Sequence, residues 1–312
     1  MRILKCRVCG HGEAVSLGQM PDCGEFAGQP VTPPIKGGEL WKCRDCGSMF
    51  RHPTLSSDDY ISLYEKAPGT VWVEDEVERN DIVTIYACLK DHTVGSILDV
   101  GCYSGNFLAG LPGKFVKYGV EPSASASRHA ASRDISILGC TLAELKENRV
   151  FDVVVSIDVI EHVLDVEDFL DLALARVKEN GLLIISTGNP DCFSWRRVFK
   201  SSFWYCYFPE HLTFPSFKYF KEFAERNGLP PPRQVRFGYK KFKLKERLSK
   251  LFHFILYSFS PALYQTLSTI HAKITGGTVT KYSGPPVSPI GLFIDHHAII
   301  IKKVKMERHR GE

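Results

Sequence analysis

Long apolar runs are missing from this chain. Its longest uncharged stretch, residues 251–272, is interrupted by Pro261 and carries His253 and Gln265, so no membrane span is predicted. The first residues, Met1-Arg2-Ile3-Leu4-Lys5-Cys6, have no apolar segment behind their charges. No secretory leader is therefore predicted, and the expected compartment is the cytoplasm. An excess of one charge is also absent: 39 Lys and Arg stand against 35 Asp and Glu, a net charge of +4. That balance argues against a surface given over as a whole to nucleic acid, and no nucleic-acid partner is expected. Internal repeats and low-complexity tracts are lacking as well. What is present is a globular composition, 44% hydrophobic and 12% aromatic, over 312 residues. It suits one large domain with an appendage.

Ten cysteines in a chain expected to meet a reducing compartment point to thiols rather than disulfides. Four of them form two knuckles, Cys6-Arg-Val-Cys9-Gly10 and Cys43-Arg-Asp-Cys46-Gly47. Each knuckle turns two thiolates toward one tetrahedral ion, the pattern of a zinc-ribbon-like site. Four cysteines leave no open coordination position, so the predicted zinc is structural. His11, Cys23 and His52 are further candidate ligands. The chain divides into a zinc-binding module at 1–53, a connector at 54–74, a main domain at 75–239, a basic insertion at 240–295 and a final strand with tail at 296–312.

In the main domain strand and helix patterns alternate from residue 96. Strands are predicted at 96–101, 118–121, 135–140, 151–157 and 182–187, with helices at 75–89, 106–111, 123–133, 163–178 and 216–227. Alternation with short connections means a parallel sheet covered on both faces, with ligands at the carboxyl ends of its strands.

The first strand ends in Asp99-Val-Gly101-Cys102-Tyr-Ser-Gly105-Asn106. A dinucleotide fingerprint beginning at Gly101 would need glycine at 103 and 106, where Tyr103 and Asn106 stand. S-adenosylmethionine has no pyrophosphate to cradle. Asp99 can hold its ammonium, Gly101 and Gly105 leave space, and Glu121 at the end of the second strand can accept both ribose hydroxyls.

The segments Ile97-Leu-Asp-Val-Gly-Cys-Tyr-Ser-Gly105, Gly119-Val-Glu-Pro122, Phe151-Asp-Val-Val-Val-Ser-Ile-Asp-Val-Ile-Glu-His162 and Gly181-Leu-Leu-Ile-Ile-Ser186 resemble the class I S-adenosylmethionine-dependent methyltransferases. The resemblance implies an α/β, doubly wound, Rossmann-like sheet of seven strands ordered 3-2-1-4-5-7-6. It also implies cofactor contacts at Asp99, Gly101, Cys102, Gly105 and Glu121, at Thr141 and Leu142 beside the adenine, and at Asp158. The knuckles, followed by Tyr60-Ile-Ser-Leu-Tyr64, are similar to those of bacterial deoxysugar methyltransferases. That family tends to show Tyr-His-Glu-His where this chain has Phe208-Pro209-Glu210-His211. The likeness, which is to C-methyltransferases, implies a saccharide acceptor, a sugar nucleotide or lipid-linked sugar in polysaccharide or glycolipid synthesis. The departure from Tyr-His-Glu-His, with the lack of that family's long C-terminal domain, moves the expected methylation from carbon to a hydroxyl.

Methyl transfer from a sulfonium needs proximity and, for a hydroxyl nucleophile, a base. Glu161-His162 and Glu210-His211 follow the fourth and fifth strands, and the aromatic segment 204–214 suits a substrate wall. His211 is the expected base, with His162, Glu210 and Tyr207 as further catalytic candidates. Other readings are methylation of a lipid or small aromatic at oxygen, or a zinc-ribbon binding protein built on a methyltransferase scaffold. Between Arg233 and Lys250 eight basic residues face one acid, Glu246, and Leu244, Leu248, Leu251, Phe252, Ile255, Leu256 and Phe259 share one helical stripe. This stripe is expected to pack on the domain, or else to lie on the cytoplasmic membrane face.

Overall fold

The computed structural model describes residues 4–11, 13–66, 79–111, 113–145, 148–240, 243–275, 282–283 and 294–304. Its centre is a seven-stranded sheet: β1 (Val94–Val100), β2 (Lys114–Val120), β3 (Ser136–Gly139), β4 (Phe151–Ile157), β5 (Val177–Gly188), β6 (Arg233–Phe237) and β7 (His296–Lys302). The order is β3-β2-β1-β4-β5-β7-β6, as the family resemblance implies. The first five strands run parallel, and β7 is antiparallel to both β5 and β6.

Alternating side chains feed two cores. Leu98, Val154, Leu183 and Ile299 face one side, Ile97, Val153, Val155 and Ile184 the other. Eight α-helices are described: α1 (Ser57–Glu65), α2 (Asn80–Cys88), α3 (Asn106–Gly110), α4 (Ala124–Ala131), α5 (Val166–Ala175), α6 (Phe217–Arg226), α7 (Leu244–Phe259) and α8 (Pro261–Thr275). On the first face α5 contributes Phe169 and Leu170, and α6 contributes Phe220 and Phe223. On the second, α2 contributes Ile85 and α3 contributes Phe107 and Leu108. Side chains at i and i+3 or i+4 are what let each short helix present such a stripe. The predicted helix at 75–89 is described as α2, and residues 75–78 lie outside the described residues.

The first 53 residues do not stand apart as a module stapled by metal alone. They form strands, and Met20, Leu40, Met49 and Phe50 are fully buried. Strand Met49–His52 pairs antiparallel with Thr213–Phe214 of the main domain, in one sheet with Glu13–Gln19 and Glu39–Cys43. Tyr282–Ser283, from the insertion, pairs with Asp22–Cys23. The three regions interlock through backbone hydrogen bonds, a link between distant segments that no local pattern announces.

The basic stripe also differs from the expectation that it packs on the domain. Helices α7 and α8 form a hairpin held by His253 and Tyr257 against Tyr264. Phe254 and Tyr257 reach the domain, meeting the ring of Phe199, and Tyr264 packs against the same cluster. Leu244, Leu248, Leu251, Phe252, Ile255 and Phe259 are exposed.

Candidate active site

At the carboxyl end of β1 the chain turns through Gly101 and Gly105 with φ of +75° and +78°. A Cβ at Gly101 would lie 2.5 Å from Val159, and one at Gly105 would lie 2.3 Å from Ile135. Glycine is thus required at both positions by close packing and by left-handed backbone. Cys102 is buried, and its sulfur would lie 2.4 Å from a Cβ on Gly119, so it fills the gap between β1 and β2. Tyr103 and Asp158, just beyond β1 and β4, hold positive φ of 48° and 51°. Strain of this kind in non-glycine residues persists where a binding loop is over-determined by its surroundings.

Two acids flank this turn. Glu121 accepts hydrogen bonds from the amides of Tyr103 at 2.9 Å and Ser123 at 2.8 Å. These fix the carboxylate in a buried setting that raises its pKa. Asp99 is buried, with one carboxylate oxygen lacking any partner, and burial followed by the Glu121 charge pushes it up to about 8. A buried acid in that condition lacks a cation, and an ammonium group would supply one. The pocket therefore fits the aminoacyl tail and ribose of S-adenosylmethionine.

Asp158, an expected cofactor contact, is engaged by an arginine. One oxygen pairs with Arg79 at 2.6 Å, while the other is buried without a partner. Arg79 also pairs with the fully buried Asp81. Arg79 lies far in sequence from every motif, so no local pattern marks it. Leu142 is buried in the core beside Val120 and Ile160, whereas Thr141 is exposed at the rim.

Beyond β4 a second cluster forms. His162 and His211 meet edge to face with ring centres 4.7 Å apart, and Glu161, His162 and His211 bring ligand-type atoms within 4.8 Å of one another. Glu161 accepts from Thr187 at 2.9 Å and from the Tyr205 hydroxyl. Burial and then Asp158 push Glu161 up to about 8. The Nδ1 of His211 lies 2.9 Å from the Tyr205 carbonyl, which can only accept. His211 therefore carries its proton on Nδ1 and leaves a lone pair on Nε2. Burial, then His162, lowers its pKa well below the ordinary value, and burial brings His162 down to about 4. Both imidazoles are neutral at pH 7. A set of one carboxylate and two imidazoles held through their outer nitrogens is also competent to ligate a divalent ion.

The N-terminal half builds part of this cluster. Tyr60 donates to the carbonyls of His162 and Glu210 at 2.8 and 2.7 Å, and the Tyr64 hydroxyl meets His162 Nδ1 at 2.7 Å. The buried guanidinium of Arg51 donates to the carbonyls of Cys206 at 2.7 Å, Phe208 at 3.1 Å and His211 at 3.2 Å, and to Gly37. Arg51 was not legible as a site residue, since nothing near it in sequence is catalytic. Of the remaining candidates, Glu210 is buried, pushed up to about 7 mainly by burial, and its side chain lies by Ala27 and Arg51. Tyr207 is buried within the aromatic cluster of Trp195, Phe203 and Tyr205.

The four knuckle cysteines converge. Cys6 and Cys46 sulfurs are 3.8 Å apart, those of Cys9 and Cys43 are 3.9 Å apart, and all four lie within 4.8 Å. Four sulfurs about 2.3 Å from one zinc ion stand about 3.8 Å from each other, so the set fits a tetrahedral ion. His11, Cys23 and His52 are not in it: Cys23 donates to the Glu25 carbonyl instead.

A seven-stranded Rossmann-like sheet with this acid pair at the ends of β1 and β2 defines a class I S-adenosylmethionine-dependent methyltransferase domain. Residues 77–230 match the family described as Methyltransferase domain. Among curated proteins the chain is similar to the ubiquinone biosynthesis O-methyltransferase of Rickettsia typhi, with 36% identity over 103 residues, 30% of this chain and 41% of that protein. The protein of the same name from Bradyrhizobium diazoefficiens is 37% identical over 102 residues, 30% of this chain and 40% of that one. The chain thus spans about two fifths of the length of these relatives. A solved structure of Haemonchus contortus phosphoethanolamine N-methyltransferase 2 with S-adenosyl-L-methionine shares the fold at 16% identity and TM-score 0.51, over 82% of this chain and 62% of that one. No helix among the described residues is long and apolar enough to cross a membrane.

Proposed function

We propose that the chain transfers a methyl group from S-adenosylmethionine to a hydroxyl oxygen, with His211 as the base. The supporting observation is His211 itself: buried, neutral, its tautomer set by the Tyr205 carbonyl, and its Nε2 lone pair available. The cofactor supplies an electrophilic methyl on a leaving group that needs no protonation. Asp99 and Glu121 hold the tail and ribose, and the strapped loop 204–211 presents the imidazole.

The acceptor we favour is a phenolic hydroxyl on an aromatic or amphiphilic molecule. A base whose pKa is depressed matches a hydroxyl near 10 better than a sugar alcohol, which is far less acidic. The aromatic loop and the O-methyltransferase relatives support the same class. A saccharide, free as a nucleotide sugar or lipid-linked, is the second reading, favoured by the cysteine knuckles and by Tyr60 and Tyr64 beside His162. Labelled cofactor incubated with phenols, nucleotide sugars and glycolipids, with products read by mass, separates them. His211→Ala should lower turnover about 10²- to 10⁴-fold with cofactor affinity unchanged. Unaltered turnover removes the base assignment. The cysteine set holds a structural zinc ion in this reading, with no part in the transfer step.

A further inference from the structure

The hairpin α7–α8 carries an apolar surface that the described residues leave uncovered. On α7, Leu244, Leu248, Phe252, Ile255 and Phe259 recur at helical spacing, with Phe252 63% and Phe259 86% exposed. On α8, Leu263, Leu267, Ile270 and Ile274 repeat the pattern, and Ile274 is 79% exposed. Isolated exposed leucines are ordinary, but nine large apolar side chains on two adjoining helices are not.

Charge identifies what covers them. Residues 240–275 contain seven Lys and Arg against the single acid Glu246, which is occupied in accepting the Lys243 amide at 2.8 Å. Lys243 and Lys245 are exposed beside the start of the stripe. The basic character continues onto the domain: Arg196, Arg197 and Lys200 are exposed on the turn whose Phe199 packs against α7, next to the 72% exposed Phe193. A second copy of the chain would set like charge against like, and a nucleic acid would leave the apolar stripes unused. An anionic bilayer satisfies both features, taking the stripes at the acyl boundary and the cations among its headgroups.

We propose that the α7–α8 hairpin, with the adjoining turn at 193–200, docks the protein on an anionic phospholipid surface. The docking stands independently of the acceptor chosen by the active site. Vesicle flotation of the full chain tests it, using phosphatidylcholine alone and phosphatidylcholine with about one third phosphatidylglycerol. The protein should float with the anionic vesicles and lose that binding as salt rises. Lys243→Gln with Lys245→Gln should weaken binding about twenty-fivefold, near fivefold per lysine. Phe252→Asp with Phe259→Asp should abolish it. Both pairs are exposed, and retained cofactor binding and an unchanged thermal melt confirm that the variants fold. Equal binding to neutral vesicles, binding to neither, or flotation of the double aspartate variant overturns the proposal. Self-association by sedimentation velocity that disappears in the double aspartate variant, without vesicle binding, assigns the surface to a second copy instead.

Discussion

Asp99 shows how much one side chain can demand of its ligand. Its folded pKa of about 8 lies above the ordinary 3.8, so between those values the folded protein holds a proton that the unfolded chain has released. Stability of the ligand-free protein should therefore fall as pH rises through that window, and this contribution is intact only below it. Binding the ammonium of S-adenosylmethionine at pH 7 should ionise Asp99 and release about one proton. Calorimetry in buffers of differing ionisation enthalpy reads that number directly, and a value of zero rejects the Asp99 contact. Glu121→Gln should weaken cofactor binding about 10- to 100-fold, the loss of charge-assisted bonds worth about 1.5–3 kcal/mol. Equal affinity in that variant would remove the ribose assignment.

Among the elements, the strand Met49–His52 does more than close a small sheet. It places Arg51 beneath the loop that ends in His211, where the guanidinium donates to the carbonyls of Cys206, Phe208 and His211, that of Phe208 also accepting from the His211 amide. Arg51→Ala should destabilise the protein by about 3–5 kcal/mol in urea unfolding, because several acceptors lose a donor together. Arg51→Lys should recover little, since an ammonium cannot reproduce the planar fork. A cost below about 1 kcal/mol would show that water replaces the arginine. The parallel strands and their helices were readable from alternating apolar runs, and so was the acid at each strand end. Arg51 and Arg79 were not: each acts through contacts with residues remote in sequence, Arg51 with the carbonyls of Cys206 and Phe208 and Arg79 with Asp158.

Across the whole molecule the cysteine site, the N-terminal sheet and the loop that carries His211 form one mechanical unit, joined where Met49–His52 pairs with Thr213–Phe214. Native mass spectrometry should find one zinc ion per chain, and Cys46→Ser should lose it. Chelation should lower both the melting temperature and turnover, because the sheet that loses its staple also carries Arg51. Turnover that survives complete metal removal would show that the sheet stands without it.

By itself the sequence pointed to the cysteine knuckles, to the sheet order through its family resemblance, and to the positions of Asp99 and Glu121 at the ends of β1 and β2, because each rests on short spacing or on a strand's own end. Only the tertiary structure decided that the first 53 residues pair with the segment beside His211, that Asp158 is held by Arg79, and that the α7 stripe faces outward. These depend on which distant surfaces meet. A helical stripe has the same periodicity whether it is covered by protein, covered by lipid, or left bare.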